Sequence, residues 1–144
     1  MIYALAYLDD GVFKILVFDR QGKICDINVC DRLKIDNSTI PISGIPDPII
    51  TCCFIDNSRV FVNLFHRLTQ TNWHFVFNFI TDEIEGEAIP TKMNCSQLNF
   101  PIQSIYQYEK DHVYCFYRQG ESYFIDMKSQ DKKIKNFQKI LGPG

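Results

Sequence analysis

Three segments of this chain carry the same short pattern: an aromatic residue, an acidic turn, then a strand of β-branched and aromatic residues. They are Tyr7-Leu8-Asp9-Asp10-Gly11-Val12-Phe13, Phe54-Ile55-Asp56-Asn57-Ser58-Arg59-Val60-Phe61 and Tyr108-Glu109-Lys110-Asp111-His112-Val113-Tyr114. Val12, Val60 and Val113 lie 48 and 53 residues apart. A period near 50 is that of arrays whose unit is one small antiparallel sheet. The chain is therefore expected to stack such sheets, and the pattern says nothing of a reaction.

Each copy reads as strands joined by tight turns. In the first unit, about residues 1–30, Ile2 to Leu8, Val12 to Phe18 and Ile24 to Val29 are separated by Asp9-Asp10-Gly11 and Arg20-Gln21-Gly22-Lys23. Links this short cannot hold a parallel crossover, so the strands are antiparallel neighbours. The second unit, 49–89, offers Ile49 to Phe54, Val60 to His66, Trp73 to Ile80 and Ile84 to Ile89, with turns at Thr69-Gln70-Thr71-Asn72 and Asp82-Glu83. The third, 102–128, offers Ile102 to Tyr108, Val113 to Tyr117 and Ser122 to Met127, closed by Gln119-Gly120-Glu121 as Gln21-Gly22-Lys23 closes the first. Ile2 to Leu8, Val12 to Phe18 and His74 to Ile80 are apolar without clean alternation, which implies cover on both faces. Trp73, Phe75, Phe77 and Phe79 share one strand face and read as core.

Between the units, Asp31 to Pro48 carries Pro41, Gly44, Pro46 and Pro48 and reads as a linker around the edge of the first unit, with one short strand at most. Pro90 to Pro101 reads as a second connection. Ile134, Phe137 and Ile140-Leu141 recur at helical spacing after Asp131 and before Gly142-Pro143, which predicts a short C-terminal helix over about 129–141. Lys128, Lys132, Lys133, Lys135 and Lys139 would lie on its solvated side.

The 144 residues suit a single all-β domain, and with 46% hydrophobic and 14% aromatic residues the chain is too apolar for disorder. A net charge of -2 gives no basic footprint for nucleic acid. The N-terminus has no basic n-region and its apolar run is shorter than a membrane span, so neither export nor membrane insertion is expected. Cys25, Cys30, Cys52, Cys53, Cys95 and Cys115 mostly lie in apolar runs and read as reduced core thiols of an intracellular, most simply cytoplasmic, protein. Asn37-Ser38-Thr39 and Asn94-Cys95-Ser96 match the glycosylation pattern, which matters only in a secreted chain.

No chemistry-bearing constellation stands out. The cysteines lack metal-ligand spacing, and His66 and His74 are apposed only if the hairpin between them brings them together. A Gly-x-Ser-x-Gly elbow and phosphate-binding glycine loops are absent. Asp9, Asp10, Asp56 and Asp111 occupy equivalent turns, where Asp hydrogen-bonds the local backbone. His112 follows one of these turns. Asp82, Glu83, Glu85 and Glu87 read as a solvated edge. No catalytic, cofactor-binding or metal-binding residue is assigned, and no cofactor or enzymatic activity is expected.

Repeated units of three to four antiparallel strands with two-sided burial resemble the blades of β-propeller repeat proteins such as the kelch and WD-repeat families. There is no Trp-Asp dipeptide, Gly-His or double glycine to assign either family. The resemblance implies a non-enzymatic protein-interaction scaffold whose partners are other proteins. Propellers close with four to eight blades. Three units therefore belong to a longer propeller, or two copies close a six-bladed ring as a homodimer, with Leu5 and Phe116 near the joining faces. The remaining alternative is a small barrel or sandwich that binds an apolar ligand or acts as a pleckstrin-homology-like adaptor. An open cavity lined by polar residues would favour the ligand carrier, and densely packed sheets the scaffold.

Overall fold

The computed structural model describes residues 3–35, 37–90, 92, 93, 96, 97, 101, 102, 104–109, 112–116, 122–126 and 134–136. The protein is all-β: among these residues the only helical element is a single 3-10 turn at Ile42–Gly44. Three hydrogen-bonded sheets account for the strands. Among the described residues they close into neither a barrel nor a ring.

The first sheet is a meander of β1 (Tyr3–Asp9), β2 (Val12–Phe18) and β3 (Ile24–Cys30). Its hairpins follow from local chemistry. Asp10 and Gly11 take φ of 50° and 79°, the left-handed pair that a two-residue hairpin twisting with its strands requires. Asp19 Oδ1 accepts the backbone N–H groups of Gln21 and Lys23 at 2.9 and 2.8 Å and shapes the second turn, where Gly22 has φ 78°.

The second sheet is built on the meander β6 (Ile49–Phe54), β7 (Arg59–His66), β8 (Thr71–Asn78) and β9 (Glu83–Pro90). Asp56 organises the β6–β7 turn, its Oδ1 accepting the Ser58 N–H at 2.9 Å and its Oδ2 lying 2.8 Å from Arg59 Nε. Beyond β9 the sheet continues through β4 (Arg32–Ile35), parallel to β9 at Ile35 opposite Ala88, and β5 (Ser38–Pro41). The segment expected to be a linker around the first unit is therefore largely a hairpin on the edge of the second sheet. Leu33 and Ile35 are buried in the core that the two sheets share, which holds the hairpin there.

The third sheet repeats this plan with β10 (Lys92–Met93), β11 (Ser96–Gln97), β12 (Ser104–Glu109), β13 (His112–Phe116), β14 (Ser122–Asp126) and β15 (Ile134–Asn136). Its order, β11-β10-β15-β14-β13-β12, matches that of the second sheet, β5-β4-β9-β8-β7-β6, strand for strand. The C-terminal helix expected over 129–141 is corrected where the chain is described: Ile134–Asn136 is a strand, antiparallel to β14 and parallel to β10. Open hydrogen-bonding groups on β14 outweigh a weak helical spacing in three residues. The rest of 129–141, with Lys132, Lys133 and Lys139, lies outside the described residues, as does Lys128 just before it.

Packing follows from the pleat. Alternate residues of β7 and β8 (Val60, Val62 and Leu64; Trp73, Phe75 and Phe77) form one core with Ala4, Ala6, Phe13, Ile15 and Val17 of the first sheet. Phe13 meets Phe75 edge to face, with ring centroids 5.6 Å apart. The intervening residues Phe61, Asn63, Phe65, Asn72, His74 and Val76 are buried too, on the opposite face. The unbroken apolar run of β8 thus corresponds to cover on both sides. Small Ala4 and Ala6 let β1 approach β6 closely: Cys52 Sγ donates to the Ala4 carbonyl at 3.3 Å. β6 also lies against β12.

Candidate interaction surface

The side of the first sheet turned away from the core is the least expected surface of the molecule. Register places Tyr3, Phe18 and Ile24 in one cross-strand row, Leu5, Leu16 and Asp26 in the next, and Tyr7, Lys14 and Asn28 in a third. Tyr3, Leu5 and Ile24 are 58%, 46% and 57% exposed, and Leu16 and Phe18 are half-buried. Tyr3 and Phe18 touch at 5.9 Å between ring centroids. Over Tyr3 to Tyr7 the strand alternation is inverted relative to a solvated sheet: Tyr3, Leu5 and Tyr7 face outward while Ala4 and Ala6 face in.

This apolar half grades into a polar half. The Tyr7 hydroxyl donates to Asp26 Oδ1 at 2.9 Å, and Lys14 Nζ lies 2.8 Å from Asp9 and 3.9 Å from Asp26. The hydrogen bond to Asp9 holds the Lys14 ammonium above its ordinary pKa. The polar end pins the direction of the face, and the apolar end offers area to bury.

Leu5, one of the two residues expected at an interface, sits at the centre of this face. Phe116 closes β13 in the third sheet, opposite Ser104 and Ser122. The structure places the two in different sheets whose first strands flank β6. Tyr3, Phe18 and Ile24 were not singled out from sequence. The alternation of bulk with alanine in Tyr3-Ala4-Leu5-Ala6-Tyr7 marks two unlike faces of β1 but not which of them is outward.

The two strand histidines do not come together. His66 stands opposite Thr71 and His74 opposite Asn63, which puts the two histidines on opposite faces of the sheet. His74 stacks on Phe61 with ring centroids 5.4 Å apart, and Asn63 Nδ2 donates to Asn72 Oδ1 at 3.0 Å, forming a buried polar row inside the sheet packing. Cys25, Cys30, Cys52 and Cys53 are free thiols, and burial pushes Cys52 up to about 11 and Cys53 to about 12. Cys52 and Cys53 are thus packed thiols held in the neutral form, whereas Cys25, read from sequence with the core thiols, is exposed. Among the described residues no group of three His, Cys, Asp or Glu side chains is placed to hold a metal ion. No helix among them is long and apolar enough to cross a membrane. Asp111, Cys95 and Cys115 are not placed by the described side chains. No protein-family model, curated protein or solved structure matches this chain.

Proposed function

We propose that the protein is a non-enzymatic interaction scaffold of propeller-like blades, and that the outer face of its first sheet is where it assembles. One observation carries the reading: Tyr3, Leu5, Leu16, Phe18 and Ile24 present a contiguous apolar face on a sheet whose other side is core. Contiguous apolar surface of this kind marks an interaction site on soluble proteins. The matching strand orders of the second and third sheets, and the way β1 and β12 both flank β6, support a blade-like arrangement around neighbouring first strands.

The occupant of the face is a second copy of the chain. The third sheet of one copy covers the first sheet of the other, and the same contact recurs through the two-fold axis to give six blades, a number within the range at which propellers close. The partner sheet buries the apolar rows, while the Tyr7, Lys14 and Asp26 end stays at the rim, as in interfaces with an apolar centre and a polar margin.

Side-chain oxidation by hydroxyl radicals tests this. Leu68 and Ile80, 75% and 72% exposed in the turns on either side of β8, serve as internal standards. Tyr3 and Ile24 are expected to be protected relative to them at high protein concentration, and to lose that protection in Leu5→Asp. Oxidation of Tyr3 and Ile24 at the rate their exposure in the single chain implies, at every concentration, would remove the reading.

A further inference from the structure

The two larger sheets and the first sheet differ at one place. Outside the third meander strand, β8 is followed by β9 and β14 by β15, both antiparallel. The first sheet ends at β3. After β3 the chain passes through Asp31 directly into β4, which joins the second sheet. Among the described residues, then, the outer edge of β3 is a strand position that is filled in the other sheets and empty here.

That edge also carries little defence against pairing. Natural edge strands are shortened or carry Pro or Lys to block pairing. The far edges of the other sheets fit this: β5 has four residues and ends in Pro41, and β11 has two residues. β3 has seven residues, Ile-Cys-Asp-Ile-Asn-Val-Cys, with neither Pro nor Lys. A register shift against Phe13 and Lys14 disturbs only its end, between Asn28 and Cys30. Ile24 to Asn28 remains a regular edge.

The side chains along it specify what would pair. Ile27, Val29 and Cys30 are partly buried against the common core, and Cys25, on the same side of the pleat as Ile27, is exposed. The core is left as a ledge that a further strand would extend with apolar residues. On the other side stand Asp26 and Asn28. Asp26 accepts the Tyr7 hydroxyl at 2.9 Å, but its side chain stays 46% exposed and its nearest cation, Lys14, sits 3.9 Å away while bonding Asp9 at 2.8 Å. A cation opposite Asp26 completes the pair.

We infer that β3 accepts an extended segment of another protein as the fourth strand of the first sheet, a segment alternating apolar with basic residues. Main-chain hydrogen bonds supply the pairing and the alternation supplies the selectivity, as in strand addition generally. The inference goes beyond the face proposed above, because the strand docks in the plane of the sheet and leaves the face free.

Isothermal titration of the full chain with capped heptapeptides tests it, using wild type and Leu5→Asp in parallel. An alternating Val–Lys peptide is expected to bind at least tenfold more tightly than an alternating Val–Glu peptide, equally well in both proteins. Methylating every backbone amide of the Val–Lys peptide should abolish binding, and Asp26→Lys should reverse the charge preference. Binding by the methylated peptide would show charge attraction alone, and absence of binding by any peptide would show a closed edge; either overturns the inference. A Leu5→Asp dimer dispersed by the peptide would place a second copy on the edge and also overturn it. Loss of the dimer in Leu5→Asp with peptide binding retained separates this site from the face.

Discussion

Val60 shows how much a single position in this molecule carries. It is fully buried, paired with Phe54 on one side and Phe77 on the other, and faces the core shared with the first sheet. Val60→Asp would bury a carboxylate with no cation beside it, at a cost of about 4 kcal/mol or more. We expect the variant to be unfolded or nearly so in urea titration at neutral pH, and an unchanged midpoint would contradict the packing described. At this scale the sequence was informative because turn chemistry is local. Asp10-Gly11 announced its left-handed pair, and Asp56 followed by Asn57-Ser58 announced a side chain closing its own turn. Which face of β1 would be left in solvent was not legible, because Tyr3, Leu5 and Tyr7 are all acceptable core residues. Only the position of the neighbouring sheet decides between them and the alanines.

Elements were legible in proportion to their length and regularity. The long meander strands stand out through their β-branched and aromatic content, and the two-sided burial of β8 could be read from its lack of alternation. The hairpins β4–β5 and β10–β11 could not. They are short, and each joins its sheet through a parallel contact with a strand distant in sequence, at Ile35 with Ala88 and Met93 with Ile134. Local propensity carries no information about such a contact. The same limit misassigned Ile134–Asn136, where an apolar spacing compatible with a helix yields to pairing with β14. Two glycines isolate an element-scale contact. Gly11 and Gly22 have nearly equal φ, 79° and 78°, so alanine pays about 1 kcal/mol of backbone strain at either. A Cβ at Gly11 would in addition stand 3.2 Å from Ser43 Cβ in the 3-10 turn packed on β2, whereas at Gly22 it meets nothing. Gly11→Ala should therefore melt at a lower temperature than Gly22→Ala. Equal melting temperatures would show that the turn at Ile42–Gly44 does not hold its place against the first hairpin.

For the whole molecule, the repeat spacing of Val12, Val60 and Val113 led to an expectation of stacked sheets, and the structure shows a common strand order in the second and third sheets. The first sheet has two features on which the proposals rest: its outer face is apolar and exposed, and the edge of β3 has no fourth strand among the described residues. Both are properties of an assembled structure, so neither is written in any one segment. The central claim is that the exposed face is covered in solution by a second copy. Multi-angle light scattering on the intact protein, across a dilution series, tests it most directly. The account predicts a mass twice that of the 16.8 kDa chain, falling to a single chain in Leu5→Asp with its β-sheet circular dichroism retained. A wild-type protein that stays at 16.8 kDa at every concentration, without aggregating, would contradict it.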